Sequence, residues 1–242
     1  MRTSYVKDSG SIGDSSIEGF KYDTHIHTSE SSACAFDSGA DMVRAYKEAG
    51  YHGFIVTDHF FNGNTSVPLH LPWHQRVDLF CRGYDSAKAE GDKCGFQVFF
   101  GWEYGYFGTE FLTYGLDRNF LLEHPDILSW SFEEYAEQVH RHGGILVHAH
   151  PFREAFYIMK IRLYPEMVDA VEGINASHTN PSFNRKAIQY AHEHGLPMTS
   201  GSDAHSIRPL AGGGILTEHK IESIRDMIRI ITSGNGYRLL GK

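Results

Sequence analysis

Short runs of Val, Ile, Phe and Tyr alternate along this chain with segments of helical period, and that alternation restricts it to a layered or barrel-shaped α/β fold. Strands are expected in GFKYDTHIHT, GFIVTDH, FQVFFGWEY, EFLTYGL, GILVHAH, AVEGIN and LPMTSGSDAH, with GGGILTE as a last short one. Helices are expected over 41–50, 78–90, 132–141, 165–168, 183–194 and 222–232. In the first of these Met42, Ala45, Tyr46 and Ala49 share a face, and Gly50 is a natural stop. Near-continuous apolar strands suit a parallel sheet buried on both faces. The sequence has neither the glycine fingerprint of a dinucleotide fold nor a GxxxxGK[ST] phosphate loop, so a barrel is preferred to an open sheet.

The 242 residues fit one large domain, expected over 20–242 behind a flexible, Gly/Ser-rich leader at 1–19 that has no apolar signal core. A net charge of −8 without a Lys/Arg run argues against an extended nucleic-acid surface. A small anionic substrate stays open if cations supply the local positive charge. No run of apolar residues is long enough for a membrane-spanning helix. Cys34, Cys81 and Cys94 show no CxxC spacing, so neither a disulfide framework nor a zinc–cysteine site is expected, and a reducing cytoplasm is the expected home. Nothing in the sequence fixes the oligomeric state.

Histidine is the abnormal component, with 16 residues. Many read as surface or capping groups, among them His70, His74, His140, His142, His192 and His194. Others recur with carboxylates at the C-terminal ends of expected strands. His25 and His27 follow the first, Asp58 and His59 the second, and Glu103 the third. His148 and His150 end GILVHAH, Asn175 ends AVEGIN, and Asp203 and His205 end the last of the series. In parallel barrels that rim gathers catalytic groups, because loops vary there while strands hold them. HxH on a strand sets two imidazoles on one face, about 7 Å apart along the chain. Both can reach one zinc, manganese or iron ion. Asp203 and His205 repeat that spacing, and a carboxylate such as Glu103 can bridge two cations. His150, before Pro151, is preferred as a ligand, with His148 behind it. Asp58 is expected to orient neighbours through hydrogen bonds.

The motifs YDTHIHT, GFIVTDH, GWEY, HAHP and SGSDAH, in that order over roughly residues 20–210, resemble the PHP domain named after polymerases and histidinol phosphatases, with a stand-alone histidinol-phosphatase-like member as the nearest type. The resemblance implies a distorted (β/α)7 TIM-like barrel holding two or three divalent metal ions at the strand ends. It implies a first ion on His25, His27, Glu103 and Asp203, a second on Glu103 and His150, and a third on His59 and His205. Where many members carry a histidine after the fourth strand, EFLTYGLD places Glu110. For the loop ligand of the third ion the candidate is Asp37, with Glu30 behind it.

The chemistry expected is hydrolysis of small phosphate esters, histidinol-phosphate- or nucleotide-like, by a metal-bound hydroxide. Arg153, three residues past His150, suits a phosphate oxygen pair, with Arg208 as a second candidate. His178 and His205 are candidates for leaving-group acid. The aromatic segments WHQRVDLF and REAFYIMKIRLY could line the pocket or pack the core. One rival reading is a C–N hydrolase of amidohydrolase type, which usually needs a mid-barrel bridging lysine that FQVFFGWEYGYFGTEFLTYGL lacks. The other is a catalytically silent binding module.

Overall fold

The computed structural model describes residues 19–156, 158–210 and 212–241. The segment read as a leader, 1–18, lies outside the described residues. In chain order the strands are β1 (Phe20–Ile26), β2 (Gly53–Val56), β3 (Gln97–Tyr106), β4 (Thr109–Tyr114), β5 (Ile145–Ala149), β6 (Ala170–Asn175), β7 (Met198–Gly201), β8 (Gly214–Thr217) and β9 (Tyr237–Leu240). The helices are α1 (Gly39–Glu48), α2 (Trp73–Phe80), α3 (Arg82–Cys94), α4 (Arg118–Glu123), α5 (Phe132–Arg141), α6 (Pro181–His194) and α7 (Ile224–Ser233). No helix among the described residues is long and apolar enough to cross a membrane.

One sheet runs β7-β6-β5-β4-β3-β2-β1-β8-β9 and curls until its ends nearly meet. The C-terminal end of β1 joins the segment after β7: the His27 amide donates to the Ala204 carbonyl at 2.9 Å, and the Asp203 amide to the His25 carbonyl at 2.8 Å. The N-terminal half of β1 pairs instead with β8, antiparallel. β9 then pairs with β8, and the Tyr237 hydroxyl donates to the Met198 carbonyl on β7 at 2.6 Å. The result is a distorted seven-strand barrel with a two-strand wedge at one end of its seam.

The expectation of an all-parallel sheet is corrected by β4, which runs antiparallel to both β3 and β5. Phe107 and Gly108 both take positive φ, 49° and 79°, so a two-residue hairpin replaces the helical crossover that a parallel neighbour needs. The helix expected over 165–168 is a turn, closed by Met167 N to Tyr164 O; four residues are too few to propagate a helix. The helix expected over 78–90 is part of two, broken at Cys81.

Three apolar layers hold the frame. Trp102 and Phe111 of the sheet pack against Phe132 and Tyr135 of α5 and Phe80 of α2. Leu112, Tyr114, Ile145 and Val147 pack with Met227 and Ile231 of α7. Ile26, Phe54 and Val56 pack against Met42 and Tyr46 of α1 and Ala87 of α3. Burying each such side chain contributes roughly 1.5–3 kcal/mol. Helix starts are set by polar caps: Ser38 accepts from Asp41 N and Ser131 from Glu134 N, each at 3.1 Å.

Candidate metal centre

Alternation along β1 sends Asp23, His25 and His27 to the same face, and all three are fully buried. The Nε2 atoms of His25 and His27 come within 3.1 Å of each other. Glu103 lies on β3 opposite Leu112, and Glu110 lies on β4 opposite Ala149, the residue before His150. Because β4 is reversed, its N-terminal end shares the rim formed by the C-terminal ends of β3 and β5. That reversal carries Glu110 to within 3.6 Å of His150 Nε2.

Glu103 is the hub. Its Oε1 lies 3.0 Å from His150 Nε2 and 3.4 Å from His25 Nε2, and its Oε2 lies 2.8 Å from His59 Nδ1 and 3.6 Å from His27 Nε2. Asp203 Oδ1 stands 3.2 Å from His27 Nε2 and 3.5 Å from His25 Nε2. Four groups have ligand atoms close enough to share an ion: His27–His59–His205, His25–His27–Asp203, His25–His150–Glu172 and His59–Glu103–Glu110. His59 Nδ1 and Glu103 Oε2 face each other at 2.8 Å without hydrogen-bond geometry, and neither has another hydrogen-bond partner. Buried polar atoms are rarely left so, and a divalent cation between imidazole and carboxylate would satisfy both. The donor set therefore fits metal ions.

Acceptors outside the hub orient the rings. Glu172 Oε1 sits 2.8 Å from His25 Nδ1, and since a carboxylate only accepts, that nitrogen carries the proton and leaves Nε2 for the centre. Ser32 Oγ donates to Asp58 Oδ1 at 2.7 Å and receives His27 Nδ1 at 3.2 Å. Asp58 also accepts from the amide and hydroxyl of Thr28, both at 2.6 Å. The Asp203 carbonyl lies 2.9 Å from His205 Nδ1. Asn175 donates to Glu172 at 3.0 Å and Asp203 at 3.2 Å. His150 and Asp203 both hold positive φ, 26° and 54°, backbone strain that the surrounding contacts must hold in place.

Charge follows from this packing. Burial opposes protonation of His25, but Glu172, Asp203 and Glu103 outweigh it and hold the imidazole well above its usual range. His59 is raised likewise, against burial, chiefly by Glu103. Burial, with His205 and His59 nearby, drives His27 well below the usual range. Glu103 and Asp203 are buried, yet His25 and His59 around the first, and Arg153 and His25 around the second, hold them well below ordinary carboxylates. Glu110 is raised by burial and by the Glu103 charge. Burial also opposes ionisation of the Cys34 thiol, but interactions with His205 and His59 bring it down to about 6. Burial and the Arg153 charge push His178 down to about 4.

Above the hub opens a cavity of about 620 Å³ lined by Cys34, His59, Glu110, Arg153, His205 and Phe107, among others. Arg153 is ion-paired to Asp203 and donates to His178 Nε2 at 3.3 Å and Ser177 Oγ at 3.4 Å. Of the aromatic segments, Arg153 and Phe156 face this cavity, whereas Val77 and Phe80 of WHQRVDLF pack in the core.

Several candidates stand elsewhere. Asp37 belongs to none of the four groups; its Oδ2 accepts from Ile207 N at 2.9 Å. Glu30 accepts from Gly39 N at the start of α1. Arg208 is exposed, and its amide donates to Ser206 Oγ. His148 does not stand behind His150: it stacks on Phe111 at 4.9 Å in the apolar layer, and burial pushes it down to about 3. The left-handed backbone at His150 breaks the strand parity that would have aligned the two. Glu172 and Cys34 were not among the site residues expected. Glu172 was detectable as a lone carboxylate inside the apolar run AVEGIN, which burial would penalise without a partner.

No curated protein matches this sequence. A family model described as PHP-associated matches residues 181–235, well under half of the chain. Among solved structures, a two-domain protein of Bacteroides vulgatus containing a predicted PHP-like metal-dependent phosphoesterase superposes with a TM-score of 0.66 at 15% identity, over 92% of this chain and 64% of that one. The fold is a PHP-like distorted barrel. This chain thus spans just under two thirds of that PHP-like relative. A protein of Bifidobacterium adolescentis, proposed to be a metal-dependent phosphoesterase, shares the fold at TM-score 0.56 and 15% identity, over 88% of this chain and 96% of its own. So does an amidohydrolase of Chromobacterium violaceum, solved with sulfate and no metal, at TM-score 0.54 and 14% identity, over 90% and 97%. The PHP-like barrel thus carries more than one described chemistry, and function must be argued from the site.

Proposed function

We propose that this chain is a PHP-type, metal-dependent phosphoesterase acting on small phosphate esters, with residues 20–242 as its catalytic domain. One observation carries the reading: a buried carboxylate, Glu103, lies among His25, His27, His59 and His150, and the Arg153 guanidinium reaches the same cavity. The first ion would be held by His25, His27, Asp203 and Glu103, the second by Glu103, His150 and Glu110, and a third by His59 and His205. Imidazole and carboxylate donors suit zinc, manganese or iron. When bound, such ions activate water near neutral pH and offset charge on the phosphoryl oxygens.

The chain's own residues do the rest. Arg153 presents a planar cation to a phosphate oxygen pair, held in place by Asp203 and Ser177. Glu172 and the Asp58–Ser32 pair fix the ring orientations of His25 and His27. The cavity suits a substrate of histidinol-phosphate or nucleotide size. Among the described residues no lysine lines it, which disfavours the lysine-bridged C–N hydrolase arrangement. The test is elemental analysis of purified protein alongside p-nitrophenyl phosphate turnover before and after chelation. Two or three equivalents of metal with chelator-sensitive turnover are expected. Absence of metal, with no activity after manganese or zinc is added, would leave the binding-module reading.

A further inference from the structure

We propose that Cys34 is a ligand of the third metal position, so that this position is a mixed thiolate–imidazole site selective for zinc over manganese. This rests on the metal-centre reading above and adds a donor of a different chemical class. The loop between β1 and α1 delivers the thiol. Ala33 N donates to Asn64 O at 2.8 Å and Phe36 N to the His205 carbonyl at 2.8 Å, so the backbone is pinned on both sides of Cys34, once by His205 itself. The side chain is half-buried and lines the cavity beside His59 and His205. The His27 ring lies 4.4 Å from that of His59 and 4.2 Å from that of His205, and the three have ligand atoms within 4.8 Å of one another.

The acids that could have served instead are engaged elsewhere: Asp37 on the Ile207 amide, Glu30 on the Gly39 amide. The His27–His59–His205 group offers only nitrogen, and Cys34 beside it would add sulfur, while the nearby carboxylates, Glu103 at 2.8 Å from His59 Nδ1 and Asp203 at 3.6 Å from His205 Nδ1, are shared with the other two positions. Soft thiolate with imidazole favours tetrahedral zinc, whereas oxygen-rich positions accept manganese or magnesium. On binding, the Cys34 S–H bond breaks, the proton leaves to solvent, and the sulfur lone pair forms the bond to the metal. The other cysteines cannot take this role: Cys81 is buried in the apolar layer beneath α2, and Cys94 ends α3.

The test is titration of chelator-stripped whole protein with cobalt(II) under nitrogen, read by absorption. Wild type is expected to show a near-ultraviolet thiolate-to-cobalt charge-transfer band together with visible d–d bands. Cys34→Ser is expected to lose the charge-transfer band, keep d–d absorption from the remaining positions, and retain one equivalent less zinc after dialysis. Cobalt binding with no charge-transfer band in wild type, or a band that survives in Cys34→Ser, overturns the assignment and leaves the metal centre standing. No cobalt binding at all overturns both.

Discussion

Glu172 Oε1 lies 2.8 Å from His25 Nδ1, with both side chains fully buried, while its Oε2 receives the His150 amide at 3.0 Å. One carboxylate thus fixes one candidate ligand by its ring and another by its backbone. Glu172→Gln keeps the size but offers an amide that can turn its NH2 toward either donor. Outer partners of this kind typically carry 10- to 100-fold of metal affinity, and a loss of about that size is expected here. Competition against a chromophoric chelator measures it; an unchanged affinity would remove Glu172 from the positioning role.

Removing a hub ligand should act on chemistry more than on folding. His27→Ala and Asp203→Ala are expected to abolish hydrolysis while the circular dichroism spectrum is kept, because the apolar layers lie outside the hub. Activity retained in either variant would sink the ligand assignment. Metal removal from wild type should lower the melting temperature, since ions that bind only the folded state stabilise it by mass action. A melting temperature indifferent to chelation would argue that the hub holds no ion.

Arg153 has a different expected signature. Its guanidinium faces the cavity, so Arg153→Ala should raise KM for a phosphate monoester by about 10- to 100-fold, the worth of a charge-assisted hydrogen-bond pair. Arg153→Lys should rescue only part, because an ammonium cannot form the planar fork. Steady-state kinetics with the alanine variant decide it: unchanged KM and kcat would exclude Arg153 from substrate binding.

Much of this arrangement was legible because strand alternation and strand ends are local properties. His25 and His27 share a face by period two, and His59, Glu103, His150 and Asp203 each end or follow an apolar run. What was hidden depended on chain paths. The β3–β4 hairpin needs positive φ at Phe107, a non-glycine residue, so the reversal of β4 was not signalled. A single cysteine carries no spacing to mark it, and only the loop path shows that Cys34, rather than Asp37, lines the cavity beside His59 and His205. Strand parity failed for His148 because the backbone turns left-handed two residues later.

Helix α3 approaches the hub closely at Gly83. A Cβ there would stand 2.7 Å from Asp58 Oδ2 and 3.0 Å from Thr28 Cβ. Helix propensity alone favours Gly83→Ala by up to about 1 kcal/mol. Overpacking against the buried Thr28–Asp58 pair opposes it, at roughly 1–3 kcal/mol, and should win. Urea unfolding is expected to show net destabilisation; a stabilised variant would mean that α3 can withdraw without cost.

Asp23 gives a pH dependence outside the hub. Its carboxylate is fully buried and receives Tyr46 OH at 2.8 Å, Ser202 N at 3.0 Å and His25 N at 3.1 Å. Burial exceeds the stabilising effect of those donors and lifts it from 3.8 to about 6. Between those values the folded chain keeps a proton that the unfolded chain has released. The associated stability is therefore complete below about pH 4 and is lost as pH rises through 6, by up to about 3 kcal/mol. Asp23→Asn cannot ionise and removes that slope. Urea midpoints of chelated wild type and variant, taken from pH 4 to pH 7, should move in the variant's favour as pH rises. A difference that stays constant across that range would show that Asp23 titrates alike in the folded and unfolded chains.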